Sequence, residues 1–498
     1  MYTRAAFLFA AVIFLAPSFA SAASMSKPFE VSGWIPYWRT ATGTADVLPN
    51  LDKLTEVNPF VYTLRSDGTL LDNGALDQEP WLTLRAEAKK RNIRFIPTVM
   101  TSNGDLLHAL LSDTTSRIAL EDYIANLVKE KGFDGIDIDF EGKKAATKNY
   151  FSTFLKGLYQ RMGDKWVMCT IESRTPLSSR YYGAAVPPDA EVYANDFKEI
   201  NKYCDRVRVM AYDQQGIDLE LSAAAASSSQ LYAPVADPAW VEKVINLMSK
   251  DIAKNKLMIG VPTYGYEYAV TAYEGPEYVY DILWTFNPGY AIPIAQQYGI
   301  TPARNMAGEM YFTYTPAATS SAPVSLGANS ANLAAAAATL YANTYKSHLQ
   351  FRLMDWPDAQ SVQQKIDLAK KLGVRGVSIF KLDGGQDPGI WNVLASAAVS
   401  SPAASPSAPS ASGSFTRALT VGSRGEDVRA LQGILNKDAR TSIAASGAGS
   451  PGQETELFGA LTLRAVQKFQ EVYGIAKAGD PGYGYVGPAT RAKLNSLR

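Results

Sequence analysis

From residue 30 onward, eight short runs rich in β-branched and aromatic residues recur between segments of helical period. They are "VSGWIPYW", "PFVYTLR", "IRFIPTVM", "GIDIDFE", "WVMCTIE", "RVRVMAYD", "KLMIGVPTYG" and "RGVSIFKL". Strands that alternate with helices pair in parallel, because the helix carries the chain back to the end at which the next strand begins. Eight such units predict an α/β fold, a closed (β/α)8 TIM barrel, with a doubly wound open sheet as the alternative. Asp237 followed by Pro238 opens the helix "WVEKVINLMSK" as a cap with proline in the first turn. Ser361 with Gln364 reads as a capping box ahead of "SVQQKIDLAKKLG", which Gly373 closes. The stretch "LSAAAASSSQ", residues 221–230, reads as a flexible loop.

Residues 266–374 separate the seventh and eighth runs, more than one helix and its loops require. "EYVYDILWTF", "EMYFTYTP" and an alanine-rich helix near 332–345 make this a small α+β insertion. The composition then shifts. "AVSSPAASPSAPSASGS" has no periodicity and predicts a solvated linker over 398–415. Beyond it, Val428, Leu431 and Leu435, then Thr462, Ala465, Val466 and Phe469, fall at helical spacing, and Gly487 and Pro488 start a third helix. Residues 416–498 are therefore expected to form a three-helix bundle, and 28–397 the barrel. At the other end, Arg4 precedes an apolar run and the small residues Ala20, Ser21 and Ala22, the pattern of a secretory signal cleaved after Ala22. The run is shorter than the roughly 20 residues of a membrane span. The mature chain is thus expected to be secreted or associated with a cell wall, with no membrane span.

Forty-eight basic residues balance 48 acidic ones, so no global charge draws the chain to nucleic acid. Two histidines, His108 and His348, and two cysteines exclude a zinc site rich in those ligands unless one of them takes part, and a Ser-His-Asp triad likewise needs one of the two histidines. His108, in "LLHALLSD", reads as a helix-side residue. Cys169 lies three residues before Glu172 and Cys204 eight before Tyr212, and if those residues end neighbouring strands the offset is roughly 16 Å. A disulfide between them is therefore not expected.

The run "FDGIDIDFEG", residues 133–142, sets acids into an apolar strand. With a side-chain period of two, Ile136, Ile138 and Phe140 share one face, and Asp137, Asp139 and Glu141 the other. The three acids span roughly 13 Å, so they cannot all ionise freely and one is expected to hold a proton at neutral pH. If the apolar face packs on the helices, the acids point into the barrel with Glu141 at the carboxyl end, where barrel active sites lie. Buried without a task they would be strongly unfavourable.

"DGIDIDFE" resembles the DGxDxDxE signature of glycoside hydrolase family 18, the chitinase-like family, at Asp134, Gly135, Asp137, Asp139 and Glu141. "MAYD" (210–213) and "GVPTYG" (260–265) resemble its segments at strands six and seven, and "GWIPYW" with "PFVYTLRSDGTL" is most similar to its bacterial spore-wall-lytic branch. The likeness covers about residues 30–397. It implies retaining hydrolysis of the β-1,4 bond after an N-acetylglucosamine unit in peptidoglycan or chitin, in which the substrate's acetamido oxygen is the nucleophile. It needs no cofactor and no metal. Glu141 would be the acid and then the base, its pKa raised by adjacent Asp139. Asp139 would orient the acetamido group, Asp137 share a proton beneath it, Tyr212 hold the acetamido oxygen, and Asp213 bind near the scissile unit beside Met210. Where the family usually has a tryptophan at the end of strand eight, this chain has Phe380. Trp34, Tyr37, Trp38 and Trp356 are further sugar-platform candidates, with core packing the competing use for each. The last domain resembles a peptidoglycan-binding module, with an unusually long insertion, "KDARTSIAASGAGSPGQETEL". Retention of Glu141 weighs against a non-catalytic lectin on the same barrel.

Overall fold

The computed structural model describes residues 29–497 apart from 229, 276, 317–329, 400–414, 416, 424 and 481. The expected signal segment and most of the expected linker lie outside the described residues. The chain divides into two compact units, one on either side of residue 404.

The first unit begins with β1 (Glu30–Pro36), β2 (Glu56–Leu64), β3 (Leu70–Asp72), β4 (Arg94–Phe95), β5 (Thr98–Thr101), β6 (Gly135–Phe140), β7 (Trp166–Glu172), β8 (Arg206–Met210) and β9 (Leu257–Pro262). An insertion follows, with β10 (Gly265–Ala272), β11 (Tyr278–Phe286), β12 (Ala303–Arg304), β13 (Met310–Tyr314) and β14 (Leu349–Trp356), before β15 (Gly376–Phe380). Strands β1, β2, β5, β6, β7, β8, β9 and β15 pair in that order, and β15 returns to β1, Glu30 opposite Gly376, so the sheet closes. All of these pairs are parallel. This is the (β/α)8 barrel. The five insertion strands form a separate antiparallel sheet, in the order β11, β10, β14, β13, β12. The helix Leu333–Tyr345 buries Ala335, Ala338 and Ala342, one stripe at helical spacing.

Ile136, Ile138 and Phe140 point outward and are fully buried, with Phe140 stacked on Phe154 of the helix Lys148–Met162 at 5.6 Å. Their alternation partners therefore face the barrel interior, which is ionic where such barrels usually hold apolar layers. At its amino-terminal end Glu30 accepts hydrogen bonds from Arg94 (3.1 Å), Arg206 (2.7 Å) and Arg375 (2.6 Å), and Glu56 accepts from Arg94 (2.8 Å) and Arg208.

Three local expectations fail. Residues 219–227 are a helix, not a loop: Asp218 caps it by accepting from Leu221 N–H at 3.0 Å, and its alanines are the strongest helix formers. Ser361 lies inside the helix Ala359–Leu372, whose cap is Asp358, accepting from Ser361 N–H at 3.0 Å. Cys169 and Cys204 form a disulfide with Cα atoms 5.9 Å apart. Glu172 is in register with Met210, not Tyr212, and Asp205 N–H donates to Val167 at 2.8 Å as the chain turns into β8. Cys204, the last residue before that turn, is thereby brought beside β7.

Among its described residues the second unit holds three helices, Glu426–Leu435, Ala460–Val472 and Pro488–Ser496, around Val428, Leu431, Leu435, Val466, Phe469 and Leu494. Two buried glutamines repeat one arrangement. Gln432 Nε2 donates to Leu457 C=O (2.9 Å) and Thr462 Oγ1 (3.0 Å), and Gln470 Nε2 to Tyr485 C=O (2.9 Å) and Thr490 Oγ1 (3.0 Å). Each glutamine ties its helix to the first turn of the next.

Candidate active site

Strand β6 lifts its acids up the barrel axis in steps of two residues. Asp137, the lowest, is fully buried and accepts from Trp34 Nε1 (3.0 Å), Thr98 Oγ1 (2.8 Å) and Thr170 Oγ1 (2.9 Å), on β1, β5 and β7. The Arg208 guanidinium of β8 lies 2.8 Å from the same carboxylate. Burial pushes Asp137 up to about 6 against the pull of those hydrogen bonds. The Arg208 guanidinium beside it favours the ionised form as well.

Asp139, one step higher, is 3% exposed and its Oδ1 has no hydrogen-bond partner. Burial, then the charges of Glu141 and Asp137, hold its carboxyl well above the ordinary range. A proton is accordingly held there more tightly than on an ordinary carboxylate. Glu141 stands just beyond the strand, its N–H donating to Thr101 C=O at 2.8 Å. Its carboxyl is also raised, by burial and then by the charge of Glu172, with Lys143 opposing. Asp139 and Glu141 also repel one another as close like charges, so Glu172 on β7 adds to the neighbour expected from the sequence rather than replacing it. Glu172 itself stays below the usual range: burial works to raise it, but Lys143 (3.3 Å) and the Asn195 amide (2.8 Å) outweigh burial.

Tyr212 follows the end of β8 and is 8% exposed, with the charges of Asp139, Asp213 and Glu141 bearing on its hydroxyl. Its ring stacks on Phe380, centroids 5.7 Å apart and planes 18° from parallel. Gly260 of β9 makes room for it, since a Cβ there would meet Tyr212 Cε1 at 2.8 Å. Asp213 takes a left-handed backbone, φ +58°, and accepts from the hydroxyls of Tyr266 (2.6 Å) and Tyr264. Met210 is half-buried at the end of β8, opposite Glu172. A cleft of about 400 Å³ opens beside these groups, lined by Trp38, Asp213, Tyr264, Tyr266, Phe286 and Phe380 among others.

The platform candidates separate by exposure. Trp34 and Trp356 are each 2% exposed, so neither can offer a face to a sugar. Trp34 supports Asp137, and Trp356 packs between Phe286 and Phe312 in the insertion. Tyr37 (39% exposed) and Trp38 (51%) remain available. His108 lies apart from the acids, with its Nδ1 3.0 Å from Thr147 Oγ1.

The sequence profile of the glycosyl hydrolases family 18 matches residues 32–385. The chain belongs to glycosyl hydrolase family 18. Among curated relatives, the glycosylase YvbX of Bacillus subtilis (strain 168) is 25% identical over 227 residues, 44% of this chain and 61% of that protein. The cortical fragment-lytic enzyme of the same organism is 23% identical over 350 residues, 68% of this chain and 67% of that one. The chain spans less than two thirds of the length of YvbX. Among solved structures, the spore cortex-lytic enzyme SleL of Bacillus megaterium QM B1551 superposes with a TM-score of 0.53 at 19% identity, covering 75% of this chain and 74% of that one. A chitinase from Chromobacterium violaceum ATCC 12472 gives 0.53 at 18% identity, covering 75% and 100%. These two likenesses show the fold.

Several groups around this family 18 site were not picked out from the sequence: Thr98, Lys143, Thr170, Glu172, Arg208, Tyr264 and Tyr266. A signal for Arg208 was present. In "RVRVMAYD" Arg206, Arg208, Met210 and Tyr212 alternate with apolar residues, so a charge lies in the same row as a proposed site tyrosine.

Proposed function

We propose that this chain is an exported retaining glycosidase that cleaves the β-1,4 bond after N-acetylglucosamine in cell-wall peptidoglycan. The observation that carries the reading is the pair Asp139 and Glu141 at the barrel mouth, both carboxyls raised by burial so that each binds a proton more readily than a free acid, beside Tyr212 and an aromatic-lined cleft. Glu141 donates its proton to the glycosidic oxygen as the C1–O bond breaks, and the substrate's acetamido oxygen closes on C1. Asp139 accepts from the acetamido N–H after passing its own proton to Asp137, and Tyr212 donates to the acetamido oxygen. Water, deprotonated by Glu141, then opens the oxazolinium with net retention. Phe380, stacked under Tyr212, forms the floor on which the reacting sugar rests, and Asp213, oriented by two tyrosine hydroxyls, binds its neighbour.

The names of the cortical fragment-lytic enzyme and SleL support a wall substrate, as does the likeness of residues 416–498 to a peptidoglycan-binding module. Chitin oligomers are the second reading, favoured by the chitinase among the structural neighbours. The test is mass spectrometry of fragments released from purified peptidoglycan, with the Glu141→Gln protein as blank. New reducing ends on N-acetylglucosamine, absent from the blank, support the wall reading. Release from chitin oligomers alone moves the substrate to chitin, and no release from either leaves a binding protein. A chain ending at Ala397 is expected to cleave soluble oligosaccharides but to bind wall sacculi less well; equal retention removes the targeting role.

A further inference from the structure

The residues just after β1, Tyr37, Trp38 and Arg39, form a single 3-10 turn in which all three side chains are exposed. Tyr37 and Trp38 meet edge to face at 5.0 Å. Trp38 contacts Phe60 at 5.9 Å, and Phe60 contacts Phe380 at 6.1 Å, so the aromatic surface runs outward from the proposed reacting site to Trp38. Arg39 lines the same cleft as Trp38 and Phe380. Its partner is Asp383, with Nε 3.7 Å away, beyond hydrogen-bond length, and its side chain is 41% exposed. Asp383 does not need it. That carboxylate is 1% exposed and is already neutralised by Lys381, with the Asn287 amide at 3.0 Å and Gly385 N–H at 2.9 Å. The Arg39 guanidinium is therefore left with its terminal nitrogens free of hydrogen bonds among the described residues, at the rim of a sugar-sized cleft and next to an exposed indole.

We infer that Trp38 and Arg39 form a subsite for a sugar that carries a carboxylate, the ring stacking on Trp38 and the carboxylate taking the guanidinium fork. This rests on the glycan reading of the cleft and specifies it. A wall glycan alternates N-acetylglucosamine with a lactyl-ether sugar whose acid is either free or extended by a peptide bearing its own carboxylates, whereas chitin offers no anion. An arginine fork reads a carboxylate in bidentate fashion, and an aromatic face reads a sugar ring whatever its substituents. The pair is therefore expected to separate the two polymers.

The experiment is calorimetric titration of the full-length Glu141→Gln protein, which holds glycans without cleaving them, with and without Arg39→Gln. Four ligands are used: a peptide-free wall tetrasaccharide with free lactyl carboxylates, the same compound with both acids converted to carboxamides, its peptide-bearing form, and the N-acetylglucosamine tetramer. The inference expects the free-acid form to bind about tenfold more tightly than the carboxamide, and Arg39→Gln to erase that ratio. Arg39→Lys is expected to restore part of it, since a point charge replaces the fork. A preference for the peptide-bearing form over the carboxamide that is also lost in Arg39→Gln assigns the carboxylate to the stem. Equal binding of acid and carboxamide forms, or a ratio that survives Arg39→Gln, overturns the subsite while leaving the glycan reading intact. Binding of the N-acetylglucosamine tetramer alone overturns the subsite and the wall reading together. Failure of all four ligands to bind overturns the glycan reading and the subsite with it.

Discussion

The two ends of the barrel axis are built from the same side-chain chemistry and do opposite things with it. At the amino-terminal end Glu30 and Glu56 meet Arg94, Arg206, Arg208 and Arg375, every one within ion-pair reach. At the carboxyl end Asp137, Asp139, Glu141 and Glu172 crowd together with Lys143, while Arg208 reaches up to Asp137 from below. Glu30 consequently lies at about 2: burial works to raise it, but the arginines overwhelm burial. Asp139 lies well above the carboxylate range because burial and the like charges of Glu141 and Asp137 outweigh the pull of Lys143. Burial alone therefore does not set the state of an interior acid; the partners do. The lower end is satisfied and structural, and the upper end is kept short of cations, which leaves a proton available there.

The largest expected effect is at the upper end. Glu141→Gln should lower hydrolysis by about 10³-fold, within the range of a lost general acid, with an unchanged circular-dichroism spectrum. Asp139→Asn should also abolish most activity, yet make the protein more stable in mild alkali. Because the folded pKa of Asp139 is raised above the unfolded value, its favourable contribution is present in acid and is lost as pH rises through the folded pKa. The asparagine variant escapes that loss, so its advantage in thermal unfolding should grow as pH rises above the ordinary carboxylate range. A variant that loses stability along with activity would mean that Asp139 is structural and that the contrast between the two ends is wrong.

Glu30→Gln is the mirror experiment. Removing one member of a buried ionic cluster leaves guanidinium groups unpaired and should cost about 3 to 5 kcal/mol of stability. Activity per folded molecule should be unchanged, because Glu30 touches none of the proposed site groups. The sign of its pH dependence is opposite to that of Asp139. A depressed folded pKa gives stability that is present above the unfolded value of 4.5 and is lost as pH falls through about 2. Glu30→Gln should therefore flatten the acid side of a stability–pH curve measured by urea unfolding, and an unflattened curve would place the acid sensitivity elsewhere.

A third, smaller effect tests where the charge on Glu141 comes from. With Glu172→Gln the negative neighbour is gone, so the ionised form of Glu141 becomes easier to reach and its pKa falls. The alkaline limb of the rate–pH profile should move toward lower pH. No movement would leave the role to Asp139 alone, the assignment the sequence suggests.

Legibility in the sequence followed locality. The eight strands, the insertion and the row Asp137, Asp139, Glu141 are carried by period and spacing within single segments, and these were readable. Trp34 shows the limit: its identity as an aromatic near the site was visible, but its use as a donor to Asp137 depends on a residue 103 positions away. The Cys169–Cys204 disulfide depends on register and on where the chain turns into β8, neither of which is fixed by counting along two strands. Arg208 was missed for a different reason. Its row was legible, but which way that row faces is settled only by the closed barrel, where Arg208 lies fully buried against Glu56 and Asp137.

The smallest expected effect concerns Phe380, where the family usually has tryptophan. Phe380 stacks on Tyr212 at 5.7 Å and meets Trp34 and Tyr264 edge-on, each at 5.9 Å. An indole in its place would offer a sugar more face, but it must share that space with four rings already in contact, these three and Phe60 at 6.1 Å. If the floor serves binding in the ground state and the transition state alike, Phe380→Trp should lower KM for soluble oligosaccharides by a few-fold and leave kcat nearly unchanged. A rise in KM would show that Trp34, Tyr264 and Tyr212 are packed for the smaller ring. A fall in kcat alone would show that the extra face displaces the Tyr212 hydroxyl from its place beside the acids. In that case the upper end of the barrel is as tightly constrained by ring packing as the lower end is by ion pairs, and the contrast between them narrows to charge alone.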